Sequence, residues 1–374
     1  MSDNSLQRLY DAGVSIWLDY IDRTMLRNGD LQRRIRDEAL MGMTSNPTIF
    51  EKALAEGNEY DLQIRSAPSD FTAMELFELI ATTDVRDACD IFADVHKQTN
   101  GVDGFVSIEV SPGAANNAQA TVSEATRLWA TVDRPNVMVK VPGTVEGAKA
   151  VRELTANGVN VNITLLFSID AYRSVIEAYM AGLEDRITQG KSIDTIHSVA
   201  SFFVSRVDTE VDKRLDAAAD NAGDDLHGKA AIANAKLAYK LFQESVESPR
   251  WKAIAAKGGT LQRPLWASTS TKNPKYRDVM YVEDLIGPHT VNTMPPQTVK
   301  AFLDHGVVER TVDANVGQAQ RTIDALEQRG IKMRDVTDKL LSDGLASFQK
   351  SFDTLVAGLQ RKTKALGKEL VASR

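Results

Sequence analysis

The sequence lacks most of what disulfide-bonded, membrane-spanning and nucleic-acid-coating proteins require. It has a single cysteine, Cys89, so neither an internal disulfide nor a cysteine-rich metal site can form. No uninterrupted apolar run approaches the length that spans a membrane. The 44 Lys and Arg residues are outnumbered by 51 Asp and Glu, and the net charge is −7. We therefore expect a globular protein that binds neither nucleic acid nor membrane, although a local basic pocket stays open.

Cofactor motifs are missing as well. There is no G-x-G-x-x-G, the phosphate-binding turn that normally opens a dinucleotide-binding fold. The five histidines show no H-x-x-x-H spacing and do not cluster with acidic residues, so no metal site is expected. The N-terminal segment "MSDNSLQRLYDAGVS" has no apolar core of the kind found in secretory signals, which predicts a cytoplasmic protein.

Short β-rich segments alternate with longer segments of helical spacing. Eight strands, each followed by helix, predict a closed parallel (β/α)8 TIM barrel with additional helices. Such a barrel needs about 250 residues, so we expect residues 1–374 to form a single barrel domain with surplus helices. The alternative is an open doubly wound sheet, which the missing glycine-rich turn disfavours. The predicted strands are 14–21, 40–46, 103–110, 136–141, 159–167, 198–205, 261–268 and 288–294.

Three of the helices have clear sequence patterns. One begins near Phe71 and continues through Phe92. Another, "TVEGAKAVRELTANG", ends at Gly158, a residue type that favours the C-terminus of a helix. The C-terminal part of the chain has apolar residues at three- and four-residue spacing, which predicts a long helix packed on the outside of the barrel. These residues are Leu341, Leu345, Phe348, Phe352, Leu355 and Leu359.

Five of the predicted strands place polar side chains on one face, mostly toward the strand's C-terminal end, where barrel enzymes build their active sites. Buried charges are costly unless they are paired, which favours a functional explanation over a structural one. A structural ion-pair cluster inside the barrel remains the alternative. The polar residues are Asp19, Thr44, Asn46, Ser107, Glu109, Lys140, Asn160, Asn162 and Thr164.

The central member of this set is Lys140, in the apolar strand "NVMVKVPGT". Desolvation favours the neutral amine of a lysine, and a neutral amine attacks a carbonyl carbon to give a Schiff base. The iminium then accepts electrons when a neighbouring C–C bond breaks. Such a reaction needs two acid/base groups, and Asp19 and Glu109 lie on separate strands where they can serve. The neutral Asn, Thr and Ser side chains suit sugar hydroxyls.

Several segments together resemble the transaldolase family. They are "WLDYID" (17–22), "GMTSNPTIF" (42–50), "VSIEVSP" (106–112), "VMVKVPGT" (137–144), "VNVNITLLFS" (159–168), "SFFVSRVD" (201–208) and "STSTKNP" (268–274). The resemblance is greatest to the longer bacterial branch. It implies a (β/α)8 barrel without metal or organic cofactor. It also implies transfer of a dihydroxyacetone unit from sedoheptulose 7-phosphate or fructose 6-phosphate to glyceraldehyde 3-phosphate or erythrose 4-phosphate, in the pentose phosphate pathway.

By matching position, the resemblance also assigns roles. Lys140 is the Schiff-base nucleophile, Asp19 the acid/base for C–C cleavage, and Glu109 with Thr164 hold a proton-relaying water. The substrate-binding residues divide into two groups. Asn46, Asn162 and Ser201 would bind hydroxyls of the three-carbon unit, and Arg206, Ser270 and Lys272 would bind phosphate. Lys272 stands where some members have arginine, so it offers a point charge instead of a bidentate fork.

Three other functions stay open at this stage. A Schiff-base aldolase would release the three-carbon unit to water, and sequence barely separates it from a transferase. A pyridoxal-phosphate barrel enzyme also uses a lysine imine but would be yellow. A sugar-phosphate binding protein would bind without covalent capture. We expect Lys140→Ala to abolish turnover. We also expect it to maintain or even raise stability, because the substitution removes a strained buried amine. The expected partners are sugar phosphates, and the chain is expected to be a monomer or a homodimer.

Overall fold

The computed structural model describes residues 4–55, 57–218 and 226–371. At its centre eight parallel strands each pair with the next, and β8 pairs with β1, so that the sheet closes into a barrel. The predicted fold class is therefore confirmed, and the open doubly wound sheet is excluded. The strands are β1 Val14–Asp19, β2 Leu40–Thr44, β3 Phe105–Glu109, β4 Val137–Pro142, β5 Val161–Leu166, β6 Ser198–Phe203, β7 Gln262–Ala267 and β8 Thr290–Met294.

Helices follow the strands and surround the barrel, and several extra helices are added to the basic plan. Within the described residues, no helix has both the length and the apolarity needed to cross a membrane. A short 3₁₀ helix spans Pro112–Ala114. The α-helices are α1 Ser5–Asp11, α2 Arg23–Arg27, α3 Asp30–Asp37, α4 Pro47–Ala55, α5 Asp61–Ser66, α6 Ala73–Ile91, α7 Ala93–Gln98, α8 Ala118–Val132, α9 Val145–Asn157, α10 Ile169–Thr188, α11 Ser205–Ala217, α12 Ala230–Glu247, α13 Pro249–Ala255, α14 Met280–Glu283, α15 Pro296–His305, α16 Val316–Gln328 and α17 Met333–Ala365.

The helix ends follow local chemistry. Helix α6 begins with a reciprocal capping box, in which the Thr72 hydroxyl accepts from the Glu75 N–H and the Glu75 carboxylate accepts from the Thr72 N–H. Helix α9 ends at Gly158, whose φ of +92° lies in the left-handed region that glycine adopts without strain. Both ends lie where the sequence pattern predicted them.

The strand register explains why the polar residues meet at one end of the barrel. Glu109 pairs with Lys140 across β3 and β4, and Lys140 pairs with Asn162 across β4 and β5. Residues in register point to the same side of a parallel sheet, so these three side chains form a layer inside the barrel. The N-terminal end of the barrel holds a separate ion pair, in which the Arg263 guanidinium donates to the Asp103 carboxylate at 2.9 Å. A structural ion pair therefore exists inside the barrel, but it lies apart from the layer that contains Lys140.

The C-terminal helix α17 does more than cover the outside of the barrel. It packs against α4, α6 and α11 and also contacts the end of β5. Gly344 allows this approach, because a Cβ there would lie only 3.0 Å from the side chain of Leu165. The expected apolar stripe is real for Phe348, Leu355 and others, whereas Leu341 and Leu345 are only partly buried. The helix thus reaches the C-terminal mouth of the barrel, which its spacing did not predict.

Candidate active site

Lys140 lies inside the barrel with its ammonium group held between two partners. Only 6% of its side chain is exposed. Nζ donates a hydrogen bond to the Ser45 carbonyl oxygen at 3.1 Å and lies 3.3 Å from Glu109 Oε2. Ser45 is itself fixed, since its hydroxyl donates to the Ser107 carbonyl at 2.8 Å. The amine is therefore positioned by strand register, by an acceptor and by a carboxylate.

Glu109 and Thr164 flank the lysine and retain hydrogen-bonding capacity. The Glu109 side chain is only 5% exposed, and burial raises the pKa of its carboxyl while the charge of Lys140 opposes that rise. Both Glu109 Oε2 and Thr164 Oγ1 are buried; Oε2 forms the ion pair with Lys140, and Thr164 Oγ1 has no hydrogen-bond partner among the described residues. Buried polar atoms normally find partners, so Thr164 Oγ1 is available to a molecule bound beside Lys140.

Asp19 lies at the end of β1, on the other side of the mouth. Its Oδ1 accepts a hydrogen bond of 2.7 Å from the Thr44 hydroxyl, which lies 2.7 Å from the Thr293 hydroxyl. Burial raises the pKa of Asp19, whereas the Lys140 charge and the Thr44 hydrogen bond lower it. The Asp19 carboxyl therefore holds a proton more readily than an exposed aspartate does.

The neutral polar residues form a connected set on β3, β5 and β6. The Asn162 amide donates to Ser107 Oγ at 3.0 Å and accepts from the Ser201 hydroxyl at 2.6 Å. These bonds fix the orientation of the amide. Asn46 precedes α4, and its Oδ1 accepts from the Ile49 N–H at 3.0 Å, so that its NH2 group is the part left to face the cavity. The set presents fixed amide and hydroxyl groups suited to sugar hydroxyls.

Positive charge lies on a helix start and on a loop at the mouth. Arg206, at the start of α11, stacks its guanidinium over the Phe203 ring at 5.1 Å. Burial lowers the pKa of Arg206 and also that of Lys272, whose Nζ donates to Ser270 Oγ at 2.7 Å. Desolvated cations beside a hydroxyl make a suitable site for a phosphate group.

These side chains surround one cavity of about 490 Å³. Eight of the ten residues predicted from the sequence line it, while Glu109 and Asn162 lie just behind, in contact with Lys140 and Ser201. The structure therefore brings the whole predicted set together. The residues of this set that line the cavity are Asp19, Asn46, Lys140, Thr164, Ser201, Arg206, Ser270 and Lys272.

The sequence assigned no role to several other residues that line the cavity, among them Lys52, Thr293, Phe348 and Thr44, the last of which is a partner of Asp19. Thr44 was assigned to the correct face but given no role. Lys52 lies on a helix and Phe348 on the distant α17, and neither position has a motif around it. Only the packed structure shows that they reach the mouth.

The described residues include no cluster suited to a metal ion, and their one thiol is inaccessible. Among residues 4–55, 57–218 and 226–371, no group of three or more His, Cys, Asp or Glu side chains is arranged to hold a metal ion. Cys89 is fully buried, and burial raises the pKa of its thiol well above the usual value. The polar groups in and directly behind the cavity include one buried amine, two carboxyls and neutral donors.

Known proteins of one family match this sequence over nearly the whole chain. The family model described as "Transaldolase/Fructose-6-phosphate aldolase" matches residues 16–359. A "Transaldolase" of Thermobifida fusca (strain YX) is 49% identical over 353 residues, covering 94% of this chain and 96% of the relative. A "Transaldolase" of Saccharopolyspora erythraea is 47% identical, covering 95% and 96%. A "Transaldolase" of Trichodesmium erythraeum (strain IMS101) is 43% identical, covering 98% and 99%.

Proposed function

The chain belongs to the transaldolase/fructose-6-phosphate aldolase family, and we propose that it is a transaldolase that works through a Schiff base on Lys140. The single observation that best supports the chemistry is the Lys140 amine, inside a barrel, 3.3 Å from a buried carboxyl and within the same cavity as a second one. The donor is sedoheptulose 7-phosphate or fructose 6-phosphate. The acceptor is glyceraldehyde 3-phosphate or erythrose 4-phosphate.

Imine formation uses the pair of Lys140 and Glu109. The raised pKa of Glu109 lets its carboxylate take a proton from Nζ, which leaves a neutral amine. Nζ then adds to the C2 carbonyl of the ketose. Glu109, with Thr164 and a water between them, returns a proton to the departing hydroxyl, so that water leaves and an iminium forms. Glu109 Oε2, which lies 3.3 Å from Lys140 Nζ, and Thr164 Oγ1, which is buried without a hydrogen-bond partner among the described residues, support this role.

C–C cleavage uses Asp19. Its carboxylate takes the proton of the C4 hydroxyl, the C3–C4 electron pair moves toward the iminium nitrogen, and the aldehyde departs. The three-carbon enamine stays on Lys140, with Asn46, Asn162 and Ser201 binding its hydroxyls. The enamine carbon then attacks the acceptor aldehyde, Asp19 returns its proton to the new hydroxyl, and hydrolysis frees the amine. No cofactor takes part in these steps.

Phosphate recognition is assigned to Arg206, Ser270 and Lys272, which lie at the mouth of the cavity. We infer that the enzyme acts in the cytoplasm, where charged sugar phosphates are retained because they do not cross an apolar bilayer unaided. We also infer that it acts in the pentose phosphate pathway, because the proposed donors and acceptors are sugar phosphates of that pathway. We further infer that residues 1–374 act as one domain, as a monomer or homodimer.

The family description also contains an aldolase, so the second candidate is a lyase that releases dihydroxyacetone. Turnover of fructose 6-phosphate measured with and without erythrose 4-phosphate separates the two. A transaldolase forms sedoheptulose 7-phosphate and turns over only when both sugars are present. Sustained release of glyceraldehyde 3-phosphate from fructose 6-phosphate alone, at the same rate, would replace the transferase by the lyase.

A further inference from the structure

Apart from Lys140, the cavity contains one more cation than the predicted phosphate site uses. Lys52, Arg206 and Lys272 all line it, and among the described residues Asp19 is the only acidic one that does. Within the described part of the chain, none of the three cations forms a salt bridge. Three unneutralised cations at one mouth repel one another unless an anion is bound between them.

Lys52 has a fixed position on the rim of the cavity. It belongs to the last turn of α4, the helix that follows Asn46. Helix α4 is anchored on α17, where the Thr48 hydroxyl donates to Ser351 Oγ at 2.8 Å. The anchored helix carries the exposed lysine on its cavity side, so that a long, flexible side chain extends from a rigid base.

Lys52 lies in the last turn of α4, five residues beyond Pro47 and so about 7 Å farther along the helix axis than the residue that follows Asn46. Burial lowers the pKa of the Lys272 amine, and the charges of Arg206 and Lys52 lower it further. The pKa of Asp19 responds to Lys140, Arg206 and Lys272, and Lys52 is not among its main neighbours. The charge of Lys52 therefore acts beside Lys272, whereas Arg206 and Lys272 both act on Asp19.

We propose that Lys52 is the outer contact of the substrate's phosphate group and that it favours the longer of the ketose phosphates. The inference rests on the proposed function, in which Lys140 fixes C2 of the sugar. One additional carbon between C2 and the phosphate moves that phosphate outward, from Arg206 toward Lys52. Lys52 is thus a specificity-determining residue for donor chain length, and it does not touch the reacting atoms.

The experiment compares wild type with Lys52→Gln, Lys52→Arg and a control, Lys252→Gln. Lys252 is an exposed lysine of α13, paired with Glu247 at 2.7 Å, on the helix that leads into the N-terminal end of β7. Steady-state kinetics are measured with sedoheptulose 7-phosphate and with fructose 6-phosphate, and inorganic phosphate is used as a competitive inhibitor. Borohydride trapping of phosphate-free dihydroxyacetone reports on Lys140 alone.

For Lys52→Gln we expect KM for the seven-carbon donor to rise about three- to tenfold, a typical range for loss of one partly exposed charge contact. The rise for the six-carbon donor is smaller, the inhibition constant of phosphate increases, and Lys52→Arg restores most of the loss. The Lys52 variants trap dihydroxyacetone as well as wild type does. The control Lys252→Gln matches wild type in every assay.

Two results would overturn the inference while leaving the proposed function intact. Kinetic constants for both donors that match wild type would remove Lys52 from the site. An equal rise for both donors would remove its selectivity for the longer chain. Failure of the wild type itself to trap dihydroxyacetone would instead count against the proposed function.

Discussion

Lys140→Met tests how the buried ion pair contributes to stability. Lys140 and Glu109 are almost fully buried, and Nζ and Oε2 are 3.3 Å apart. At an effective dielectric constant of about 20, two unit charges at that distance attract each other by about 5 kcal/mol. Desolvation offsets part of this, but removal of one partner from a buried pair still costs about 3 kcal/mol, because the other charge is left alone. Methionine preserves most of the side-chain volume, so the charge dominates the change.

The loss depends on pH because Glu109 can escape it by binding a proton. Burial already raises the pKa of Glu109 in the folded protein, and without Lys140 it rises further. When the pKa of an acid is higher in the folded protein than in the unfolded one, stability falls as the pH rises between the two pKa values. For Glu109 this window begins near the unfolded pKa of 4.5 and ends at the raised pKa of the folded protein. Each pH unit in that window is worth at most about 1.4 kcal/mol. We therefore expect about 3 kcal/mol of destabilisation at pH 8 and about 1 kcal/mol or less at pH 5.

Urea unfolding followed by circular dichroism at both pH values measures the difference. The matched control is the double variant Lys140→Met with Glu109→Gln, which removes both charges and should recover about half of the loss or more at pH 8. A Lys140→Met loss that is identical at pH 5 and pH 8, or a double variant as unstable as the single one at pH 8, would refute the reasoning. Unchanged or higher stability, the outcome that the sequence alone leads us to expect for Lys140→Ala, would refute it as well if Lys140→Met shows it.

The other predictions concern activity and one helix end. In Asp19→Asn, borohydride should still trap the imine while turnover falls about 10²- to 10⁴-fold, and loss of the adduct would instead exchange the roles of Asp19 and Glu109. Thr44→Val removes the hydrogen bond that lowers the pKa of Asp19, so the acidic limb of the kcat/KM profile should move to higher pH; an unmoved limb would contradict this assignment. Arg206→Gln should raise KM for the phosphorylated donor by about tenfold or more, and equal kinetics would disconnect Arg206 from phosphate. Gly158→Ala should lower the free energy of unfolding by about 1 kcal/mol, because alanine is strained at φ +92°, and a calorimetric scan that matches wild type would contradict it.

The strands could be predicted because alternation is a local property. A strand that reads Val, Met, Val, Lys, Val places Lys140 on the face opposite its valines, whatever the rest of the fold. Register then follows from closure of the barrel, which aligns Glu109, Lys140 and Asn162. Strand β5 departs from strict alternation. Leu165 has φ +58°, next to a register shift between β5 and β6, and its side chain contacts the region around Gly344.

The rest depends on tertiary packing and has no local signal. Lys52 and Phe348 reach the cavity only because α4 and α17 pack against each other at the mouth. The sign of the Lys140 contribution to stability likewise depends on Glu109, which is 31 residues away in sequence and 3.3 Å away in space. The ion pair between Arg263 and Asp103 shows the same dependence, since neither residue lies in a recognisable motif.

Borohydride reduction in the presence of fructose 6-phosphate, followed by peptide mapping with mass spectrometry, tests the central claim that the Lys140 amine captures a ketose as an imine. We predict a single reduced three-carbon adduct on Lys140, which is absent from Lys140→Met. An adduct on any other lysine, or an active wild-type enzyme that yields no adduct, would contradict it.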